Sequence, residues 1–430
     1  MAKIPYMQNE LFNVGKPKVY KGRQLDEIYF PLGGIGTGMV NLGGWGQLKE
    51  FEIFNKPNKG LFFNYTFFTL YAKQGDNEPV TRVIQGPVGG TYTAGGSGVT
   101  RLDGSGLPHF RKCEFIGEFP YAHLDFNDPK MPLDVSMEAF NPFIPLNDKD
   151  SSIPVAIFLF NLYNPTEDVV NATLFANLEN KVGFPEVGKG VIEYKEGENV
   201  AGLMMTTKKH EADSPRYGSM TLTTPWEDLN IQTCWMRSGW FDTLHRFWDQ
   251  ASHDGELKEN RETVEAGENA TDVGSIGLKV TLEPEESITL PVMITWHMPN
   301  FEKYWGEKAT WKNYYATVFN DAFDVAEYVG ENLERLDAET RLFKDSLFGS
   351  TLPECVLDAV SSQISILKTT TTVRLEDGTF YGWEGCSPGS GCCEGTCTHV
   401  WNYAQAMPYL FPSLERSIRV ADYSFNINEE

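Results

Sequence analysis

Short runs of β-branched, aliphatic and aromatic residues, separated by Gly, Pro, Asn and Asp, fill the chain from about Tyr29 to Trp296. Such runs are typical of strands joined by turns, and long helical periodicity is nearly absent from this part. We predict strands in segments 61–72, 154–164, 203–208, 219–225, 276–282 and 287–297. Many short strands over roughly 270 residues predict one large antiparallel β-sandwich of two sheets.

The pattern changes after Pro299. Segment 311–349 contains no proline, and its apolar residues recur at helical spacing, which predicts one long helix that tolerates Gly330 in its interior. The periodic residues are Phe319, Phe323, Ala326, Val329, Leu333 and Leu336. Proline suits the first turn of a helix, so Pro353 predicts a second helix over 354–368.

A hairpin is predicted after the second helix. Segments 369–375 and 379–385 read as strands on either side of the turn 376–378, Glu-Asp-Gly. A loop rich in Gly and Cys follows over 385–395, and a further helix is predicted over 399–411. This order of elements, strands first and helices afterwards, indicates separate domains.

Length also favours more than one domain, because 430 residues exceed an ordinary single core. We divide the chain into an N-terminal β-sandwich domain (1–300), a helical linker (301–350) and the incomplete start of a helical domain (351–430). The two or three helices predicted after the linker cannot bury one another's apolar faces in a closed barrel. We therefore expect this sequence to be the front part of a longer enzyme.

The net charge of the chain disfavours some classes of binding partner. Lys and Arg total 36 against 59 Asp and Glu, a formal charge of −23, which repels nucleic acid and anionic membranes and suits a neutral substrate. The start of the chain lacks a basic region followed by an apolar core. The longest apolar run, near 153–162, has half the length of a membrane span. We expect no nucleic-acid partner, no membrane span and a cytoplasmic location.

Two motifs suggest cofactors. The run 31–38, PLGGIGTG, resembles a dinucleotide-binding loop, but Met39 and Asn41 stand where the GxGxxG spacing requires glycine, and no helix follows. Glycines that permit tight turns explain the run better.

The second motif is a cysteine cluster at Cys386, Cys392, Cys393 and Cys397, close to His399. Its order matches no structural zinc spacing. Reduced packed thiols are the favoured interpretation, with a disulfide or a metal left open. We expect no cofactor and no metal.

Glu384 is the carboxylate with the most suggestive surroundings. It ends a predicted strand, follows Trp383 and precedes a Gly-rich loop, with Glu394 and His399 close in sequence. A carboxylate among aromatics at a strand end suits a glycosidase nucleophile, although exposed loop glutamates are common.

Several segments resemble glycoside hydrolase family 116, which includes bacterial β-glucosidases and the non-lysosomal glucosylceramidase. They occur in the family's order and cover nearly the whole chain, so that their joint occurrence is specific although each is weak alone. The segments are 30–38 (FPLGGIGTG), 119–145, 150–164, 296–319, 380–385 (FYGWEG) and 396–412.

The resemblance implies an N-terminal β-sandwich, a C-terminal (α/α)6 barrel and hydrolysis of β-glucosides with retention of configuration. FYGWEG matches the family's nucleophile segment, which makes Glu384 the candidate nucleophile and Glu394 the second choice. The acid/base residue is implied to be an Asp of the barrel beyond residue 430. The implied partner is a small carbohydrate or a glycolipid, and the oligomeric state stays open.

The resemblance also suggests a sugar site. His399, Trp401 and Tyr403, together with Trp383, are candidate substrate-binding residues, although a helix packing face explains Trp401 and Tyr403 equally well. His399 stands where better-known members have an Asp that holds sugar hydroxyls, and the preceding loop is longer, so the exact sugar is open.

Two alternatives remain. The chain could be a non-catalytic carbohydrate-binding or vestigial sandwich protein, or part of an inverting glucoamylase-like hydrolase or a phosphorylase. Inversion at the anomeric carbon would exclude Glu384 as nucleophile. On the leading hypothesis, we expect residues 1–430 alone to hydrolyse little.

Overall fold

A computed structural model describes residues 7–8, 11–15, 17–87, 104, 106–238, 242–303, 308–383, 386–387, 390–391 and 406–426. The strands in these residues are β1 Val19–Lys21, β2 Tyr29–Leu32, β3 Met39–Gly43, β4 Leu48–Glu52, β5 Phe68–Gln74, β6 Val80–Val83, β7 Lys112–Glu118, β8 Tyr121–Asn127, β9 Asp134–Phe140, β10 Val155–Tyr163, β11 Val170–Glu179, β12 Gly190–Glu196, β13 Ala201–Thr207, β14 Ser219–Thr224, β15 Leu229–Gln232, β16 Val264–Glu265, β17 Val273–Leu282, β18 Ser287–His297, β19 Asn300–Glu302, β20 Thr310–Lys312, β21 Thr372–Arg374, β22 Phe380–Gly382, β23 Cys386–Ser387 and β24 Ser390–Gly391. The helices are α1 Asp242–His253, α2 Ala322–Phe348, α3 Glu354–Ile364, α4 Met407–Leu410 and α5 Pro412–Asn426.

Two antiparallel sheets face each other. The larger has the order β1-β7-β8-β9-β10-β18-β14-β13-β12-β16, and the smaller has the order β15-β17-β11-β5-β6. Their inner faces meet in one hydrophobic core, where the ring of Phe68 on β5 lies 5.1 Å from Phe158 and 4.9 Å from Phe160 on β10. The predicted antiparallel, sandwich-like arrangement is confirmed.

Strand β10 is apolar on both faces because both faces are covered. Phe158 and Phe160 point into the sandwich core, whereas the alternate residues Ile157 and Leu159 pack with α2 in a second cluster on the outer face of the larger sheet. Residues alternate between the two faces of a strand, so a continuous apolar run is the sequence signature of a strand buried on both sides.

Helix α1 covers the outer face of the smaller sheet with aromatic side chains. Phe247 of α1 stacks on Trp235 with ring centroids 4.3 Å apart, and it meets Phe67 and Phe175 edge-on. This helix was not predicted from the sequence. It is twelve residues long, and its buried residues Leu244, Phe247 and Ala251 recur at the three- and four-residue spacing of an amphipathic helix, a short signal within a region of many strands.

The predicted strands are largely confirmed. Segments 154–164, 203–208, 219–225, 276–282 and 287–297 coincide with β10, β13, β14, β17 and β18 to within a few residues. Segment 61–72 is wrong in its first half, since the strand begins only at Phe68. The residues before it turn so that Phe63 stacks on Phe51 with ring centroids 3.8 Å apart.

The long helix predicted over 311–349 begins later, at Ala322. Asp321 ends the preceding turn, because its carboxylate accepts hydrogen bonds from the backbone N–H groups of Phe323 (2.8 Å) and Asp324 (2.9 Å), as an N-cap does. The residues before it form β20 and a 3-10 turn whose Tyr315 hydroxyl donates to the carbonyl of Met298 (2.8 Å).

Buried charge fastens α2 to the sandwich. Asp150, almost fully buried, accepts hydrogen bonds from the Tyr328 hydroxyl (2.7 Å), from Nη1 of Arg335 (2.9 Å) and from the Asn147 side chain (2.8 Å). Burial alone would raise the pKa of Asp150, but these three donors hold that pKa below its ordinary value. Asp150 is therefore ionised in the folded protein at neutral pH.

A second contact of α2 is a carboxylate bound in a turn. Glu327 accepts from the backbone N–H groups of Glu198 (3.1 Å), Asn199 (3.2 Å) and Val200 (3.2 Å), which close the β12–β13 hairpin. Successive N–H groups that point at one carboxylate form an anion-binding concavity. Glu327 therefore links the loop to the helix, next to the apolar cluster in which Val200 of the loop packs with Val329 of α2.

The remaining helices follow the predicted order only in part. The second helix is confirmed as α3 followed by a 3-10 turn, Ser365–Lys368. Helix α5 was not predicted, and it buries Leu414, Ile418 and Ala421. In the described residues no helix has the length and apolarity needed to cross a bilayer.

We expect Glu327→Ala to lower the free energy of unfolding by about 1–3 kcal/mol, because it leaves three backbone donors without their acceptor. The measurement is chemical denaturation at neutral pH, with Glu331→Ala as the control. Glu331 is an exposed residue one turn further along the same helix. Equal losses in the two variants would contradict the role assigned to Glu327.

Candidate active site

Of the site residues named from the sequence, Trp383 lies in the described part of the chain. Glu384, Glu394, His399, Trp401 and Tyr403 lie outside it, and so do three of the clustered cysteines. The fourth, Cys386, begins β23. The roles predicted for these residues stay predictions. The described structure leads up to Trp383, the residue before Glu384.

Trp383 is the last described residue before Glu384, and its backbone is fixed. Its N–H donates to the carbonyl of Thr371 (2.9 Å), which extends the β21–β22 hairpin by one further hydrogen bond. Adjacent Cα atoms are about 3.8 Å apart, so whatever holds Trp383 restricts where the Glu384 backbone starts.

The indole of Trp383 is completely buried. It belongs to a small cluster with Phe301, Val373 and Leu375, against which Trp311 and Tyr381 pack. The structure thus gives Trp383 a packing role, while its contact with a sugar stays a prediction.

The hairpin is tied to the segment that leaves the sandwich. The backbone N–H of Glu376 donates to the carbonyl of Lys312 (2.9 Å), and Asn313 forms an isolated antiparallel bridge with Leu375. The Asn313 side chain in turn donates to the carbonyl of Met298 (2.8 Å) and to the side chain of Asn55 (2.6 Å). The predicted hairpin is therefore confirmed, and its turn rests on the end of the sandwich.

The glycine-rich run 31–38 packs directly on this hairpin. Gly36 has φ +74°, and a Cβ at this position would lie 2.7 Å from the backbone nitrogen of Arg374. Gly38 has φ +79°, and a Cβ there would clash with the carbonyl of Glu52. The interpretation that these glycines permit tight turns is confirmed, and their turns bring two backbones into contact.

Arg374 is held at the same contact. One guanidinium nitrogen, Nη2, lies 2.7 Å from Oδ2 of Asp148, and the guanidinium stacks 3.5 Å from the ring centroid of Tyr314. Its other nitrogens, Nε and Nη1, are buried and find no hydrogen-bond partner among the residues that the structure describes. A planar guanidinium suits a stacked, half-satisfied position better than an ammonium does.

Lys368 was not singled out from the sequence, and it is fully buried at the end of the 3-10 turn between α3 and the hairpin. Its Nζ donates to the side chain of Asn141 and to the carbonyls of Pro142 (2.7 Å) and Ser151 (2.9 Å). Three acceptors match the three protons of an ammonium group, whereas burial drives the pKa of Lys368 below its ordinary value.

Glu52, the last residue of β4, was likewise not singled out from the sequence, and it is fully buried. Its Oε2 accepts from the hydroxyl of Thr370 (3.1 Å), immediately before the hairpin. The sequence signal is weak, because Glu52 stands between Phe51 and Ile53 but Lys49 and Glu50 precede them. A charged residue is costly to bury unless it has partners.

No metal site is found within the described residues. The three described cysteine side chains, Cys113, Cys234 and Cys355, are free thiols. Burial raises the pKa of Cys113 to about 12 and that of Cys234 to about 11, so both are protonated at neutral pH and poor ligands or nucleophiles.

Residues 30–336 match a family model described as beta-glucosidase 2, glycosyl-hydrolase family 116 N-term. Among solved structures, a bacterial glucoamylase complexed with acarbose is similar at 9% identity and TM-score 0.39. A protein described as a kojibiose phosphorylase from the human microbiome is similar at 8% identity and TM-score 0.38. Each alignment covers 83% of this chain and 42% of the other, so this chain spans less than half the length of either protein.

We expect Gly36→Ala to destabilise the protein more than Gly378→Ala. Both glycines have positive φ, so both substitutions strain the backbone, but a Cβ at Gly378 meets nothing within 4 Å. The clash at Gly36 should add about 1–3 kcal/mol of overpacking cost. Chemical denaturation of the two variants measures the difference, and an equal loss would show that the close approach to Arg374 is unimportant.

Proposed function

This chain belongs to glycoside hydrolase family 116, and from that premise we propose that the whole protein hydrolyses β-glucosides with retention of configuration, with Glu384 as nucleophile. The observation that carries the proposal is the match of residues 30–336 to the family's N-terminal region. It is followed, in the expected order, by the FYGWEG segment of 380–385.

The proposed reaction has two steps. The ionised Glu384 carboxylate attacks the anomeric carbon, the glycosidic C–O bond breaks, and a carboxylic acid protonates the departing oxygen. The same acid, now ionised, removes a proton from water, which attacks the glycosyl-enzyme and releases Glu384 as carboxylate. A retaining pair holds its carboxyl groups about 5 Å apart. We assign the acid to an Asp of the helical barrel beyond residue 430.

The described residues would hold the backbone next to Glu384, one of the two catalytic carboxyl groups, in a fixed position. Trp383 is fully buried and bonded to Thr371, and the hairpin packs on the glycine-rich run. A nucleophile that follows a fixed backbone needs less ordering before attack, which is the advantage that positioning gives an enzyme.

We also propose that α3, α4 and α5 begin an (α/α)6 barrel, so that the chain divides into the sandwich 1–300, the linker 301–350 and barrel residues 351–430. Tyr409 and Tyr423 support this proposal, because both are highly exposed aromatic side chains. Further barrel helices would cover them.

For the substrate, we propose a neutral β-glucoside, either a small glucoside or a glycolipid of the glucosylceramide kind, in the cytoplasm. The formal charge of −23 supports a neutral ligand. His399, Trp401 and Tyr403 are the proposed contacts of the sugar, with His399 in the place of the family's usual Asp.

We expect Glu384→Gln, in the full-length protein, to lower kcat for an aryl β-glucoside by about 10⁴-fold or more, as loss of a nucleophile does. The control is Glu376→Gln, because Glu376 is exposed in the hairpin turn. A 2-deoxy-2-fluoroglucoside should label the wild type at Glu384, and NMR should detect the β-anomer of glucose as the first product. An α-anomer, or label on another residue, would contradict the proposal and favour an inverting enzyme or a different nucleophile.

A further inference from the structure

Glu52 ends β4 in the three-stranded sheet β2-β3-β4, more than three hundred residues from Glu384 in sequence, yet its contacts lead to the residue before Glu384. We propose that Glu52 is a positioning residue of the active site, acting through Thr370 on the backbone that carries the nucleophile. This inference rests on the function proposed above, because it assumes that Glu384 is the nucleophile.

Glu52 has little freedom to move. Oε1 accepts from the backbone N–H of Asn58 (2.9 Å), and Oε2 accepts from Lys59 Nζ (3.1 Å) and from the Thr370 hydroxyl (3.1 Å). Its backbone pairs with Met39 in β3. A buried carboxylate with three donors is strongly held, because each bond to an ionised group is stronger than a neutral one.

Thr370 is connected to Trp383 through one peptide bond and one backbone hydrogen bond. The next residue, Thr371, accepts the hydrogen bond from the N–H of Trp383 (2.9 Å). The hydroxyl of Thr371 lies 2.7 Å from that of Thr369, and Thr369 bonds to the carbonyl of Ile366 (2.8 Å). The threonine turn is thus fixed locally as well as through Glu52, and movement of Thr370 would move the acceptor of Trp383.

The expected consequence is kinetic. A displacement of about 1 Å at a reacting group can cost on the order of 10²-fold in rate. Loss of the Glu52–Thr370 bond should therefore slow glycosylation of the enzyme, measured as the rate constant per active site at saturating substrate. A purely structural Glu52 would instead reduce the fraction of folded protein and leave the rate constant per active site unchanged.

The test uses the full-length protein and the first-order rate constant of trapping by a saturating 2-deoxy-2-fluoroglucoside, counted per labelled site by mass spectrometry. Thr370→Val removes the donor, Thr370→Ser keeps it, and Glu52→Gln replaces a charged acceptor by a neutral group. Glu50→Gln is the matched control: Glu50 accepts from Gly60 N–H (3.0 Å) and lies 3.7 Å from Lys59, but it makes no bond to Thr370.

We expect Thr370→Val and Glu52→Gln each to lower the trapping rate constant about tenfold or more. The double variant should be no slower than the slower single variant, because both changes remove the same hydrogen bond. Thr370→Ser and Glu50→Gln should stay close to wild type. If Glu52→Gln does not fold, the contrast between Thr370→Val and Thr370→Ser decides alone.

The two levels of the proposal fail differently. A wild type that is not labelled at Glu384 would overturn the proposed function. A wild type that is labelled, with Thr370→Val trapped as fast as Thr370→Ser, would leave the function intact and overturn the positioning role of Glu52.

Discussion

No side chain fits between the backbone at Gly36 and the backbone at Arg374, and this close approach joins the start of the chain to the hairpin that leads to the candidate nucleophile. A left-handed glycine is required there because the turn and the contact coincide at one residue. Around this point, Trp296 Nε1 donates to the carbonyl of Thr37 (2.8 Å), so the glycine-rich run is also held by the sandwich.

The same part of the molecule collects buried polar groups that a simple sandwich would not need. Glu52, Lys368 and Arg374 are all nearly or fully buried, and each joins residues far apart in sequence. Burying such groups is unfavourable unless their partners are in place. They favour one relative placement of the sandwich and the hairpin, whereas the apolar contacts alone would specify it less strictly.

Much of the sandwich could be predicted because the order of apolar and polar residues along a strand reflects which of its faces are buried. Strand β10 is almost entirely apolar because α2 and the core cover both of its faces. Helix α1 was not predicted, although Leu244, Phe247 and Ala251 recur at amphipathic spacing, because the pattern spans only twelve residues among many strands. The start of α2 was misplaced, since the periodicity runs through a turn that the Asp321 cap ends.

The site could be predicted only where its residues lie close together in the sequence and form a recognisable motif. FYGWEG drew attention to Glu384 and Trp383, but the link from Glu52 to Thr370 spans residues 318 positions apart and leaves no spacing to detect. Arg374 and Lys368 are similarly unremarkable in sequence, since their burial depends on partners in distant loops. Long-range polar contacts of this kind become visible only when the chain is folded.

The central claim is that contacts with the sandwich fix the backbone of Trp383, the residue before the candidate nucleophile. The most direct test is native-state hydrogen exchange of the Trp383 amide. We predict that this amide, bonded to Thr371, exchanges only through the same large opening that exposes the amides of the central strand β10. Exchange orders of magnitude faster than that of β10, through a small local opening, would contradict the account.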